Sequence, residues 1–221
     1  MYIFNPENDM ALANFSPNYT PPASSVKLAG DLSLLPLWYA PDGSVVMSHE
    51  QIDLDFVESA KSRFNIKTSV VFIDEVLQHT SQGITPWGWS PLLKNNLINM
   101  GVPQELTPNS DYLALLREYS SRKNAVRLLS ELKVENPQFY GSSYYYTDID
   151  SLLDYLATTD GDKALKMPLS GSGRGLIWIL DGITDKQTDW ARRVVKNQGG
   201  VVAEPKLKRV KDFAMEFSLH D

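Results

Sequence analysis

Ala164-Leu165-Lys166-Met167-Pro168-Leu169-Ser170-Gly171-Ser172-Gly173-Arg174-Gly175-Leu176-Ile177-Trp178-Ile179 sets a glycine-rich loop between two short apolar runs. Runs of this length read as strands, from Ala164 to Met167 and from Leu176 to Leu180, so the loop closes a hairpin. Gly171, Gly173 and Gly175 stand at alternate positions. They leave the backbone free to take positive φ and to approach a ligand, so successive N–H groups can converge on an anion. Lys166 on the preceding strand offers an ammonium to phosphate oxygens, and Arg174 within the loop offers a planar fork of donors. The loop is not a Walker loop, because Gly-x-x-x-x-Gly-Lys-Ser/Thr is absent and a strand follows in place of a helix; Gly-x-Gly-x-x-Gly spacing is absent too. Taken alone, such a turn is more often a flexible surface hairpin with a solvated lysine, so the flanking segments have to decide.

About thirty residues downstream, Val201-Val202-Ala203-Glu204-Pro205-Lys206-Leu207 delivers a carboxylate at the end of an apolar strand. Pro205 then removes a backbone donor and stiffens the exit. A carboxylate can accept from an exocyclic amine while the backbone beyond it reads a purine edge. By itself the segment is better read as an edge strand ending in a surface Glu. Asp212 opens the alternating run Asp212-Phe213-Ala214-Met215-Glu216-Phe217, where a strand-start carboxylate can bridge two ribose hydroxyls.

Upstream, strands and helices alternate. Tyr2 to Phe4 is a first strand running into the polar loop Asn5-Pro6-Glu7-Asn8-Asp9. Val26, Ala29, Leu32 and Leu35 recur at helical spacing until Pro36. Leu37-Trp38-Tyr39 and Val45-Val46-Met47 flank Pro41-Asp42-Gly43, predicting a hairpin. Ile52, Phe56, Ala60 and Phe64 mark a further helix, followed by a β-branched strand from Thr68 to Ile73. Another helix is predicted from about Ser90 to Met100. This α/β pattern predicts a mostly parallel sheet covered by helices, a Rossmann-like lobe over residues 1–105. Val102 to Ser110, with two prolines and Asn109, is the expected linker. A second lobe over 106–221 begins with a long helical stretch, capped at Asp111, re-capped at Ser120-Ser121 and running to Leu132. It continues as strand (Phe139 to Tyr146), helix (Asp148 to Ala157), the hairpin strands, helix (Lys186 to Asn197), strand (Val201 to Glu204) and strand (Asp212 to Leu219).

In this order the motifs of residues 110 to 221 resemble the ATP-grasp family, especially its D-alanine–D-alanine ligase and biotin carboxylase-like members. The matching features are Lys123 near a helix start, Lys166 before the glycine hairpin, Glu204 with Leu207 three further on, and Asp212-Phe213. The resemblance implies a Rossmann-like pre-ATP-grasp lobe followed by the first, α+β ATP-grasp subdomain. It implies ATP held by Lys123 and Lys166 on the phosphates, with Arg122 and Arg127 as neighbouring alternatives to Lys123. Ser170, Gly171, Ser172, Gly173, Arg174 and Gly175 would close over the phosphates, Glu204, Pro205, Lys206 and Leu207 would hold adenine, and Asp212 the ribose. The implied activity is ligation of a small-molecule carboxylate to an amine or thiol through an acylphosphate; the alternative is a nucleotide- or partner-binding module of the same descent without turnover. The family's magnesium ligands fall beyond Asp221, so the sequence is expected to be the front part of a longer protein, inactive alone.

Bulk properties narrow the partners. The 221 residues suit one α/β unit plus a smaller lobe. A net charge of -6 argues against nucleic acid, whose binding needs a basic face. Zero cysteines excludes disulfides, thiolate metal sites and cysteine nucleophiles, and suits a reducing compartment. His49, His79 and His220 are too scattered for a histidine metal site. No apolar run approaches the ~20 residues that span a bilayer, and the start carries no signal-peptide pattern. A cytoplasmic protein with no membrane partner is expected, with homo-oligomerisation left open. Thr85-Pro86-Trp87-Gly88-Trp89 reads as core or interface aromatics, and Asn5 to Asp9 as a polar turn or a substrate contact at the sheet's carboxyl edge.

Overall fold

The computed structural model describes residues 1–48, 52–171, 175–208, 210, 211 and 215. The chain groups into two compact units, Met1–Asn124 with Leu169–Gly175 and Ala125–Pro168 with Leu176–Asp221. Val102 and Leu113, on either side of the division expected at residue 105, are both buried within the first.

The first unit is built on four parallel strands, β1 (Tyr2–Ile3), β2 (Val45–Ser48), β3 (Ser69–Phe72) and β4 (Thr85–Pro86), in the order β3-β2-β1-β4. Every residue of β2 is buried, as a strand covered on both faces requires. Pro86 is tolerated because β4 is an edge strand: the N–H groups of Thr85 and Trp87 donate to Met1 O and Ile3 O, and the missing proline N–H falls between them. Met1, Ile3, Met47, Val71, Leu93 and Leu97 form the centre of the core. Val102, at the start of the expected linker, joins them, and Thr107 is buried further along it.

Several sequence expectations are corrected in this unit. Leu37-Trp38-Tyr39 does not pair with β2; Leu35–Trp38 is a 3₁₀ turn begun by Pro36, and β2 is flanked on both sides by parallel partners. Alternation marks a strand but says nothing about which neighbour it pairs with. The helix α2 (Ala23–Asp31) stops before Leu32, because Ser33 is drawn into the core, where its hydroxyl bonds that of Ser48 at 3.1 Å. In α3 (Leu54–Phe64) the buried stripe is Val57 and Ala60. Phe56 and Phe64, expected in that stripe, are more than half exposed; Phe64 meets Trp38 edge-on at 5.1 Å. The helix α4 (Pro91–Asn99) follows its expected course, capped by Ser90. The helix α5 (Ser110–Tyr119) is capped by Asn109, whose Oδ1 accepts from Tyr112 N, and not by Asp111. The expected break at Ser120-Ser121 separates it from α6 (Arg122–Glu135).

The second unit is a four-stranded antiparallel sheet, β5 (Tyr144–Tyr146), β6 (Lys163–Lys166), β7 (Leu176–Ile179) and β8 (Val201–Pro205), in the order β5-β8-β6-β7. Its helices are α7 (Ile149–Thr158), capped by Asp148, and α8 (Asp185–Gln198), opened by a capping box of Thr184 and Gln187. Leu152 of α7 and Ala191 and Val194 of α8 pack on Leu165, Ile179, Val201 and Ala203. Both helices thus lie on one face of the sheet. The strand expected from Asp212 to Leu219 lies outside the described residues, apart from Met215.

Lys163, outside every sequence expectation, is 3% exposed. Its ammonium donates to the carbonyls of Thr159, Asp160 and Gly161 and stands over the Tyr155 ring. It ties the α7–β6 turn to the core. Lys163→Met, which keeps the length of the side chain, should lower unfolding free energy in urea by about 1–3 kcal/mol, whereas Lys206→Met at the surface should change it by less than about 1 kcal/mol.

Candidate functional site

On β6 and β8 the period of two sorts the side chains. Leu165 pairs with Ala203, and both enter the helix-covered core. Ala164 pairs with Glu204 and Lys166 with Val202, so these four, with Trp178 and Leu176 of β7 and Tyr145 of β5, project from the opposite face. Lys166 and Glu204 are joined there by an ion pair, and Ser143 Oγ donates to the other oxygen of Glu204 at 3.0 Å. Ala164 and Val202 are buried between the polar groups. Beyond the strand end, Lys206 N donates to Asp162 O, and its ammonium pairs with Asp162 at 3.1 Å and stands 5.7 Å above the Trp178 ring. Pro205 is partly exposed and Leu207 exposed. The expected lysine and carboxylate are thus adjacent on one surface, with a half-exposed indole, Trp178, beside them. Trp178 was missed because a tryptophan in an apolar strand looks like core; its parity with Glu204 was the available signal.

The beginning of the glycine loop belongs to the first unit. Arg122 grips it, one guanidinium nitrogen donating to Ser170 Oγ at 2.8 Å and the other to Ser170 O at 3.0 Å. Gly171 lies against the Asp9 carboxylate, leaving no room for a Cβ. Gly175 takes φ 74 as the loop enters β7, a conformation that favours glycine. Lys123 pairs instead with Glu118 at 3.4 Å, both side chains about half exposed. It is Arg122, the neighbouring alternative, that reaches the loop. Ser172, Gly173, Arg174 and Asp212 lie outside the described residues.

A second polar constellation sits at the carboxyl ends of β1 and β4. Strands β2 and β3 lie to one side of β1 and β4 to the other, so the order reverses between β1 and β4, where open parallel sheets gather ligands. Asn5 spans this junction: its amide donates to Gly88 O at 2.9 Å and accepts from Gly88 N at 3.3 Å. Asn8, oriented to suit its neighbours, donates to Gly88 O at 2.9 Å and Trp89 O at 3.2 Å. A Cβ at Gly88 would strike that amide, which is why glycine stands between two tryptophans. Trp87, more than half exposed, meets Phe4 at 5.6 Å and Tyr39 at 6.5 Å. Between the two asparagines, Glu7 Oε2 is buried and has no hydrogen-bond partner among the described residues. Burial pushes the Glu7 carboxyl above its ordinary value, against a smaller lowering by its own backbone N–H.

No protein-family model matches the chain, and no curated protein matches it. Among the described residues no helix is long and apolar enough to cross a membrane, and no three His, Cys, Asp or Glu side chains gather as a metal site.

A raised carboxyl means that the folded chain holds the Glu7 proton at a pH where the unfolded chain has released it. Glu7 therefore favours folding least at neutral and high pH; the penalty grows as pH rises from the unfolded value through the raised one. Glu7→Gln should be more stable than the native chain at pH 8 by on the order of 1 kcal/mol. The advantage should fade as pH falls below about 4, as urea titrations at several pH values would record.

Proposed function

We propose that the chain binds an adenine nucleotide on the Lys166–Glu204 face of the second unit, as the nucleotide-binding part of an ATP-grasp-type carboxylate–amine or carboxylate–thiol ligase. The observation that carries this reading is the placement of Lys166 and Glu204 side by side on the face opposite α7 and α8. On this reading Lys166 leaves Glu204 for a phosphate oxygen, an exchange of one charge-assisted bond for another. Glu204, still held by Ser143, is then free to accept from the adenine amino group. Leu207 N–H, which donates to no acceptor among the described residues, would read the ring edge.

The order of elements adds support: β5-α7-β6, a glycine loop, then β7-α8-β8. Within the first unit, Arg122 on Ser170 gives the start of the glycine loop a cationic anchor. The implied chemistry is attack of a carboxylate oxygen on the γ-phosphorus of ATP, releasing ADP and leaving an acylphosphate. The amine or thiol then attacks the acyl carbon and expels phosphate. Magnesium, when bound, would supply positive charge to offset that of the phosphates, and no described residue is assigned to it.

Titrating ATP into the chain while following tryptophan fluorescence tests the site. Lys166→Glu should weaken binding at least about tenfold, the scale of one charge-assisted bond. Lys196→Glu, the same charge change on the helix side of the sheet, should leave it within about twofold. Equal affinities for the native chain and Lys166→Glu would rule out the phosphate role.

A further inference from the structure

The helices that leave the two strands of the switch point, α1 (Asn8–Asn14) and α4, are in contact. Beside them lies a half-open cavity of about 310 Å³, walled by residues of the first unit alone. Its apolar walls are Phe15, Pro17, Pro91, Ile98 and Leu113, and its polar groups are Lys94, Asn95 and Ser110. The volume stands at the lower end of ligand pockets. At about 30 Å³ for each water-sized atom it has room for about ten heavy atoms.

Three features give the cavity a polarity. Lys94 Nζ donates to Pro108 O at 2.9 Å, which uses one of its three donors; among the described residues it pairs with no carboxylate. Pro91 and Ser110 are the first residues of α4 and α5, so two positive helix ends flank the opening. The nearest acid in sequence, Asp111, is exposed on the first turn of α5. Arg117 is committed elsewhere: its guanidinium donates to Leu12 O and Ala13 O at the end of α1 and lies 5.3 Å from the Phe15 ring. The wall itself is held in an unusual conformation. Phe15 sits at φ 60, ψ 27, a region that bulky side chains rarely enter.

We infer that this cavity binds a small monocarboxylate with a compact aromatic or branched aliphatic body, the body packed among Phe15, Ile98 and Leu113 and the carboxylate on Lys94. A neutral ligand would leave the ammonium's remaining donors idle, and a larger polyanion would waste the apolar walls. The inference stands independently of the nucleotide reading, since every residue it uses lies in the first unit and none contributes to the Lys166–Glu204 face.

Phenylacetate, 4-methylpentanoate and neutral phenylacetamide, titrated separately into the uniformly ¹⁵N-labelled chain, provide the test by amide chemical shifts. Both acids should saturate, moving the signals of Phe15, Lys94, Ile98 and Leu113. Lys94→Met should weaken phenylacetate at least about tenfold. Ile98→Trp, which fills the cavity and leaves Lys94 in place, should abolish binding while its spectrum shows a folded chain. Equal affinity for phenylacetamide and phenylacetate would overturn the proposal, as would shifts away from these residues. Line broadening at this face on concentration alone, with no response to either acid, would also overturn it and assign the surface to a second copy of the chain.

Discussion

The register of β6 against β8 decides what the second unit can be. With Leu165 opposite Ala203, the small and branched side chains go to the helices, while Lys166 and Glu204 emerge together on the other face. A slip of one residue in β6 would send Lys166 under α7 and α8 and expose Leu165, and a slip in β8 would do the same with Glu204 and Val201. Neither charge has a partner there, and Lys163 already fills the polar capacity at that end of the core with its three carbonyls. Hydrophobic burial thus sets the position of the polar pair as strictly as it sets the core.

The same pairing also conditions the ion pair chemically. Its members extend from neighbouring strands and are each about a quarter exposed, so water still competes for both. An ion pair in that setting adds little to stability, which leaves Lys166 and Glu204 easily separated by a ligand that offers each a better partner. A fully buried pair would resist such an exchange, because either charge left alone would be uncompensated. Ser143 gives the Glu204 carboxylate a second partner, independent of the lysine.

Much of this was legible in the sequence, and the failures have physical causes. The second unit's strands and helices were readable because short β-branched and aromatic runs alternate with segments carrying strong caps, Asp148 and Thr184 among them. The first unit was harder. Its strands are two to four residues long, too short for a period of two to show, so Thr85–Pro86 is given no strand and Leu37 to Tyr39 is read as one. Helical spacing found α3 and its buried Ala60 but missed Val57, and it put Phe56 and Phe64, one turn either side of Ala60, in the core although both are more than half exposed. The site shows the same division. Lys166 and Glu204 stand out from their local motifs, but the β6–β8 pairing that joins them, like Arg122 meeting Ser170 and Asp9 meeting Gly171, links segments far apart in the chain, which no spacing rule encodes.

Unfavourable local features concentrate in the first unit, and their distribution is informative. Glu7 keeps a buried oxygen without a partner among the described residues, and Phe15 holds a left-handed backbone, only eight positions apart and at opposite ends of α1. Neither follows from the demands of the sheet: a Gln at position 7 or a Gly at position 15 would serve the fold as well or better. In the second unit left-handed positions fall to the short Asp181, at φ 55, and to Gly199 at the cap of α8, and the buried Lys163 meets three carbonyls. A single short helix beside the strand-order reversal thus carries both an under-solvated carboxyl and an aromatic in the left-handed region, two features that each cost stability.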